Sequence, residues 1–83
     1  MGDPRAEAVL VAALRSDPYA YVREAAADAL GRSGTGAAAL RYAAKRDDER
    51  RVRHAAEKAL RALRAMRQRG GNPGRRAPGT PGN

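Results

Sequence analysis

Few side chains in this 83-residue chain are able to do chemistry, and their spacing limits what they can do. His54 and Glu57 stand three positions apart, a spacing by which helical bundles present metal ligands on one face. Two donors hold a divalent ion only loosely, because a stable site gathers several N/O ligands from facing helices. The hydroxyls other than tyrosine are Ser16, Ser33, Thr35 and Thr80, at prospective caps, loops or the C-terminal segment, and none lies near His54 in sequence. That leaves nucleophilic catalysis without a nucleophile–base pair. No glycine-rich segment follows a strand, so no phosphate-cradling loop is recognisable. Glu24 and Asp28 share a helix face with neighbouring cations and read as solvated surface. Cysteine is absent, which excludes disulfides and thiolate metal sites and gives no reason to expect an oxidising compartment. These residues point to no enzyme, no cofactor, no metal and no small-molecule substrate.

Charge is the more informative chemistry. The net charge is +8, yet residues 1–57 carry ten basic and nine acidic side chains, whereas residues 58–83 carry seven basic ones and no acid. Lys58, Arg61, Arg64, Arg67, Arg69, Arg75 and Arg76 form an acid-free basic strip that suits phosphate contact, which needs little beyond cations. No aromatic residue is interleaved with them to stack on bases, so nucleic-acid or other polyanion binding would be independent of sequence.

The elements that must carry these residues are helices. There are 20 alanines, no Phe or Trp, and three tyrosines, Tyr19, Tyr21 and Tyr42. Alanine is the best helix former. It lets helices approach closely but fills no thick core, and a core of this size rarely supplies more than ~3–5 kcal/mol without a staple. No alternating β-branched run suggests a strand. No apolar run approaches the ~18–20 residues that span a bilayer. The first residues, with Asp3 and Glu7, lack the basic-then-apolar order of a signal peptide. The expectation is a cytoplasmic protein without a membrane partner.

A repeat of thirty residues organises the chain. Tyr21 to Leu30 lies over Arg51 to Leu60 with six of ten positions identical, namely Val22/Val52, Arg23/Arg53, Ala25/Ala55, Ala26/Ala56, Ala29/Ala59 and Leu30/Leu60. The same offset sets Leu10 on Leu40, Arg15 on Lys45 and Asp17 on Asp47. Each unit reads as two helices. Asp3 caps the first, with Pro4 at its first position, and that helix runs to about Arg15. Asp17-Pro18 repeats the device for a second helix ending near Arg32. Thr35 is placed to cap a third reaching Arg46, and Asp47 a fourth ending near Arg69 at Gly70-Gly71. Loops of two to four residues require antiparallel neighbours.

Apolar residues recur at helical period: Leu10, Ala13 and Leu14; Val22, Ala25, Ala26, Ala29 and Leu30; Leu40, Ala43 and Ala44; Val52, Ala55, Ala56, Ala59, Leu60 and Leu63. Beyond Leu63 the stripe decays, because Arg67 falls on the formerly apolar face. Residues 1–69 are expected to form the helical domain. Residues 70–83, rich in Gly and Pro, are expected to form a disordered basic tail.

The phrases Gly2-Asp3-Pro4-Arg5-Ala6, Asp17-Pro18 followed by Val22-Arg23, and Ala29-Leu30-Gly31 resemble the loop and second-helix signatures of HEAT-like repeats, the kind also found in phycobilin lyases. The resemblance covers roughly residues 2–64. It implies an all-α fold, an α-solenoid fragment of two helix–turn–helix repeats. It also implies that Asp17 and Asp47 cap, and that Arg23 and Arg53 donate hydrogen bonds between repeats. The second unit departs from the pattern, with Gly34-Thr35-Gly36 where Gly-Asp-Pro is expected. HEAT-like deoxyhypusine hydroxylases hold two irons through the phrase Val-Arg-His-Glu. Val52-Arg53-His54 matches it, but Ala55 follows, and the first unit reads Val22-Arg23-Glu24-Ala25. A single histidine does not rebuild that site.

The function expected is a non-enzymatic protein-interaction or scaffold module. Two repeats are fewer than the three that usually bury a continuous core. Val9, Val11 and Leu63 are therefore expected near open ends that take a protein partner or another copy of the chain. The alternative is sequence-independent DNA or RNA binding through the basic strip.

Overall fold

The carboxylate of Asp3 accepts a hydrogen bond of 3.0 Å from the Arg5 N–H, with Pro4 next in line, and so starts the first helix as its residues require. The computed structural model describes the backbone of residues 3–71 and the side chains of residues 3–68. Four helices make it up: α1 (Pro4–Ser16), α2 (Ala20–Ser33), α3 (Ala37–Arg46) and α4 (Arg50–Gly71). The expected tail begins at Gly70, but α4 includes Gly70 and Gly71, and the remainder of the tail lies outside the described residues. Among the described residues there is no strand, and no helix is long and apolar enough to cross a membrane.

The turns correct the capping expected at three places. Asp17 and Asp47 close α1 and α3 in extended backbone rather than opening α2 and α4. Each donates its own N–H to the carbonyl four residues back, Ala13 and Ala43. Each Oδ1 accepts the N–H two residues ahead, Tyr19 and Glu49, at 2.9 Å. This side-chain turn uses up two residues before helical backbone begins, so α2 and α4 start at Ala20 and Arg50. Between the repeats, Gly34 and Gly36 both adopt left-handed backbone, with φ of 77° and 76°. Gly36, not Thr35, precedes α3, and no side chain caps that helix. The Thr35 hydroxyl is instead buried without a hydrogen-bond partner.

Helices α1 and α3 form one layer and α2 and α4 the other, each hairpin packing on itself and on its neighbour. Leu14, Leu30, Leu40 and Val52 are the large side chains fully buried between them, surrounded by Ala26, Ala27, Ala39, Ala43, Ala55, Ala56 and Ala59. With so small a filling the backbones must come close. They do at Gly31, where an added Cβ would lie 2.8 Å from the Ala59 Cβ and 3.0 Å from its Cα. Leu63, expected at an open end, is only 7% exposed. Seven residues beyond Ala56 and four beyond Ala59, it lies on the buried face of α4 and belongs to the chain's own core.

Candidate functional site

Among the described residues, the polar site with the most side-chain hydrogen bonds is the corner where the two repeats meet. Val22, half-buried, and Val52, fully buried, are each followed by an arginine that turns back to the preceding loop. Arg23 Nη1 donates to the Asp17 carbonyl at 2.8 Å, and Arg53 Nη1 donates to the Asp47 carbonyl at 2.7 Å. Arg23 goes further. Its Nε and Nη2 clasp the Asp47 carboxylate at 3.0 and 3.2 Å, and Nη2 also reaches Asp48 at 3.1 Å. The side chains of Arg23 and Asp47 are 12% and 8% exposed, so this fork-on-carboxylate pair is partly desolvated and geometrically specific. Burial pushes the Asp47 carboxyl upward. Hydrogen bonds from Arg23 and the Glu49 N–H outweigh it and hold the group below its ordinary value. The Asp47 bond likewise raises the Arg23 guanidinium. The resemblance implied that both arginines bridge repeats. Arg23 does, while Arg53 reaches only its own repeat among the described residues.

Because the two repeats share one local design, each end face can be compared with an interior one. Ala39 is 8% exposed where α1 covers it, and Val9, thirty residues earlier, is 67% exposed. Val52, Ala55 and Ala59 are buried, whereas Val22, Ala25 and Ala29 are partly or fully exposed. These residues make an uncovered, largely apolar face on the side of α1 and α2 that looks away from the second repeat, with exposed Ser33 where the second repeat has buried Leu63. Val11 is half-buried beside the core. On the opposite end the substitutions run the other way. Buried Ala27 and Gly31 are matched by exposed Glu57 and Arg61, and Gly34 by exposed Arg64. One end is apolar and the other charged.

The basic residues of the strip are separated by their own spacing. Lys58, Arg61, Arg64 and Arg67 are all exposed on α4, but steps of three residues turn each by roughly 60° around the helix axis. Lys58 lines a groove between α2 and α4 with Asp28, Arg32, Ala59 and Met66. Arg64 and Arg67 line a different cleft, with Leu60 and Arg41, a cation from α3 that lies outside the strip. The Arg69 side chain, Arg75 and Arg76 lie outside the described residues. Glu24, read from the sequence as solvated surface, pairs with Arg51 at 3.5 Å. That pair is exposed and contributes ~0–1 kcal/mol. His54 and Glu57 are both exposed, and among the described residues no group of three or more potential ligands converges on a metal-sized site.

Sequence reasoning passed over the tyrosines. Tyr19 and Tyr21 are 60% and 61% exposed and stack at 5.6 Å between ring centroids. The signal was a two-residue aromatic spacing directly after Asp17-Pro18 and next to Val22.

No curated protein and no solved structure matches the chain. A family model describing HEAT repeats matches residues 1–61, nearly all of the two-repeat body. HEAT repeats generally mediate protein–protein interaction and are typically non-enzymatic. With two helical hairpins in register, an arginine–aspartate clasp between them and this match over most of its length, the chain belongs to the HEAT-repeat family.

Proposed function

We propose that this chain is a non-enzymatic interaction module, acting in the cytoplasm and using its solenoid surface and an uncovered apolar end to take a protein partner or another copy. Residues 1–69 serve as the repeat domain and residues 70–83 as a basic appendage. The observation that carries this reading is the exposure of Val9, Val22, Ala25 and Ala29, whose counterparts one repeat later are covered. Contiguous apolar surface of that kind marks interaction sites. The +8 charge opposes self-association most where screening is weak. Gel filtration with light scattering, at ~50 mM and at several-fold higher salt, tests the reading. Association that grows with salt supports it. A salt-independent monomer melting well above ~65 °C overturns it, since such a body would need no partner.

A second reading is favoured by one cleft: Arg41, Arg64 and Arg67 surround it and suit a run of phosphates. Contact with about five phosphates gives a log–log salt slope near −4 to −5 on duplex DNA. No measurable binding at ~50 mM salt removes this reading.

A further inference from the structure

We propose that the α1–α2 end face is the module's docking surface, and that its occupant is a HEAT-type helical hairpin. That hairpin carries an arginine for Asp17 and, eight positions later on the same helix, a glycine to sit against Ala29. The inference rests on the interaction reading above and names the partner's chemistry. Its warrant is the interior joint of the chain itself, where the same surface is seen occupied. Val52, Ala55 and Ala59 are buried on α4, which packs against α2, and α2 supplies Arg23 to the Asp47 carboxylate and Gly31 to Ala59. Thirty residues earlier stand Asp17, Val22, Ala25 and Ala29, the same residue types at these four positions, while Val9 replaces Ala39 and Ser33 replaces Leu63.

The carboxylate is prepared in the same way. Asp17 and Asp47 have extended backbone, the same N–H bond to the helix behind them, and the same 2.9 Å bond from the N–H two residues ahead. Asp47 is held by an arginine. Asp17 has no cationic partner among the described residues, and Arg23 touches only its carbonyl. An apolar face with a preset carboxylate in the loop before α2 and two stacked, exposed tyrosines at the start of that helix takes an apolar helix with one cation.

A second copy stacked head to tail does not fit this description. Its outward face would present Arg61 where the joint requires Gly31, and a Cβ there already comes within 2.8 Å of the facing alanine. Its Arg53 could reach Asp17, but the helices could not close. The charged end thus terminates stacking, and the apolar end receives it.

The test extends the full chain at its N-terminal side by duplicating residues 7–36, so that Gly36 of the added copy runs directly into Glu7. All 83 natural residues remain, and the added hairpin presents its own Arg23 and Gly31 to the natural face. The expected result is a thermal midpoint raised by about 10 °C or more, as an added nearest-neighbour joint implies. Gly31→Arg in the added copy should erase most of that gain. Labelling supplies a second readout, since the chain has no cysteine of its own. Ala25→Cys at the natural face should alkylate freely in the natural chain and at least about tenfold more slowly in the extended one. An extended chain no more stable than the natural one, or equal protection with Gly31→Arg, overturns the assignment of this face. A natural chain that stays monomeric at every salt concentration and melts well above ~65 °C would instead sink the interaction reading while leaving the stacking result in place.

Discussion

Asp17 and Asp47 occupy the same corner of successive repeats and make the same local bonds, yet only Asp47 is gripped by an arginine from the neighbouring repeat. Local sequence builds both corners. The difference arises from what lies alongside: α2 covers α4's face, and nothing described covers its own. The same contrast runs through the apolar residues. Leu30 is fully buried in the joint and Leu60, its counterpart, only partly at the charged end. In a solenoid, therefore, a residue's energetic weight depends less on its type than on which side of its repeat is occupied.

The largest test of this contrast is a pair of truncations. Leu30→Ala should destabilise the chain by ~3–4 kcal/mol, as a fully buried large-to-small change does, and Leu60→Ala by only ~1–2 kcal/mol. Urea unfolding of the two variants measures both. Equal costs would mean that the second repeat is as well covered as the first.

Next in size are the corners themselves. Asp47→Ala removes the two-pronged clasp of Arg23 and the bond to the Glu49 N–H, and should cost ~2–3 kcal/mol, because it leaves a partly buried guanidinium with only the exposed Asp48 carboxylate and the Asp17 carbonyl. Asp17→Ala removes only the bond to the Tyr19 N–H and should cost ~0.5–1 kcal/mol. A double-mutant cycle with Arg23→Ala should return most of the Asp47 effect as coupling and little of the Asp17 effect.

Smaller again is the exchange at the joint. Gly31→Ala gains helix propensity of ~1 kcal/mol but drives a Cβ onto Ala59, an overpacking cost of ~1–3 kcal/mol, for a net loss of about 1 kcal/mol. Arg61→Ala, at the matching position on the exposed end, should be neutral within ~0.5 kcal/mol. A stabilising Gly31→Ala would show that α2 and α4 can part without loss.

The repeat, the four helices and most of the apolar face were legible in sequence, because period and offset are properties of the chain alone. Asp3 was legible as a cap for the same reason: its partner is two residues away. Asp17, Asp47 and Thr35 were misplaced as helix caps, since an aspartate can also close a turn three positions before a helix and a left-handed glycine can take the cap position, and the choice depends on backbone geometry. Leu63 was placed by the decay of the stripe after it, whereas burial followed its spacing from Ala59. The basic strip was contiguous as a list of residues and is parted on the helix, because a three-residue step precesses around it. The polarity of the two ends became visible only once burial could be compared residue by residue across the repeat.

The smallest expected effect is a pH dependence that belongs to one corner. The Asp47 carboxyl titrates below its ordinary value in the folded chain, although burial alone would raise it, because Arg23 and the Glu49 N–H stabilise the charged form. The unfolded chain titrates this group near pH ~3.9. Between the folded value and that point the unfolded state binds the proton more readily, so acid favours unfolding. The stabilisation is then complete above about pH 4 and is lost as pH falls through the lower, folded value. Urea midpoints taken from about pH 5 down to about pH 2 should fall more steeply for the natural chain than for Asp47→Asn, and the two curves should converge in acid. Asp17→Asn should keep the natural slope, because it leaves the Arg23–Asp47 clasp intact. If Asp47→Asn kept that slope as well, the acid sensitivity would lie outside the clasp, and the contrast between the two corners would be one of covering alone.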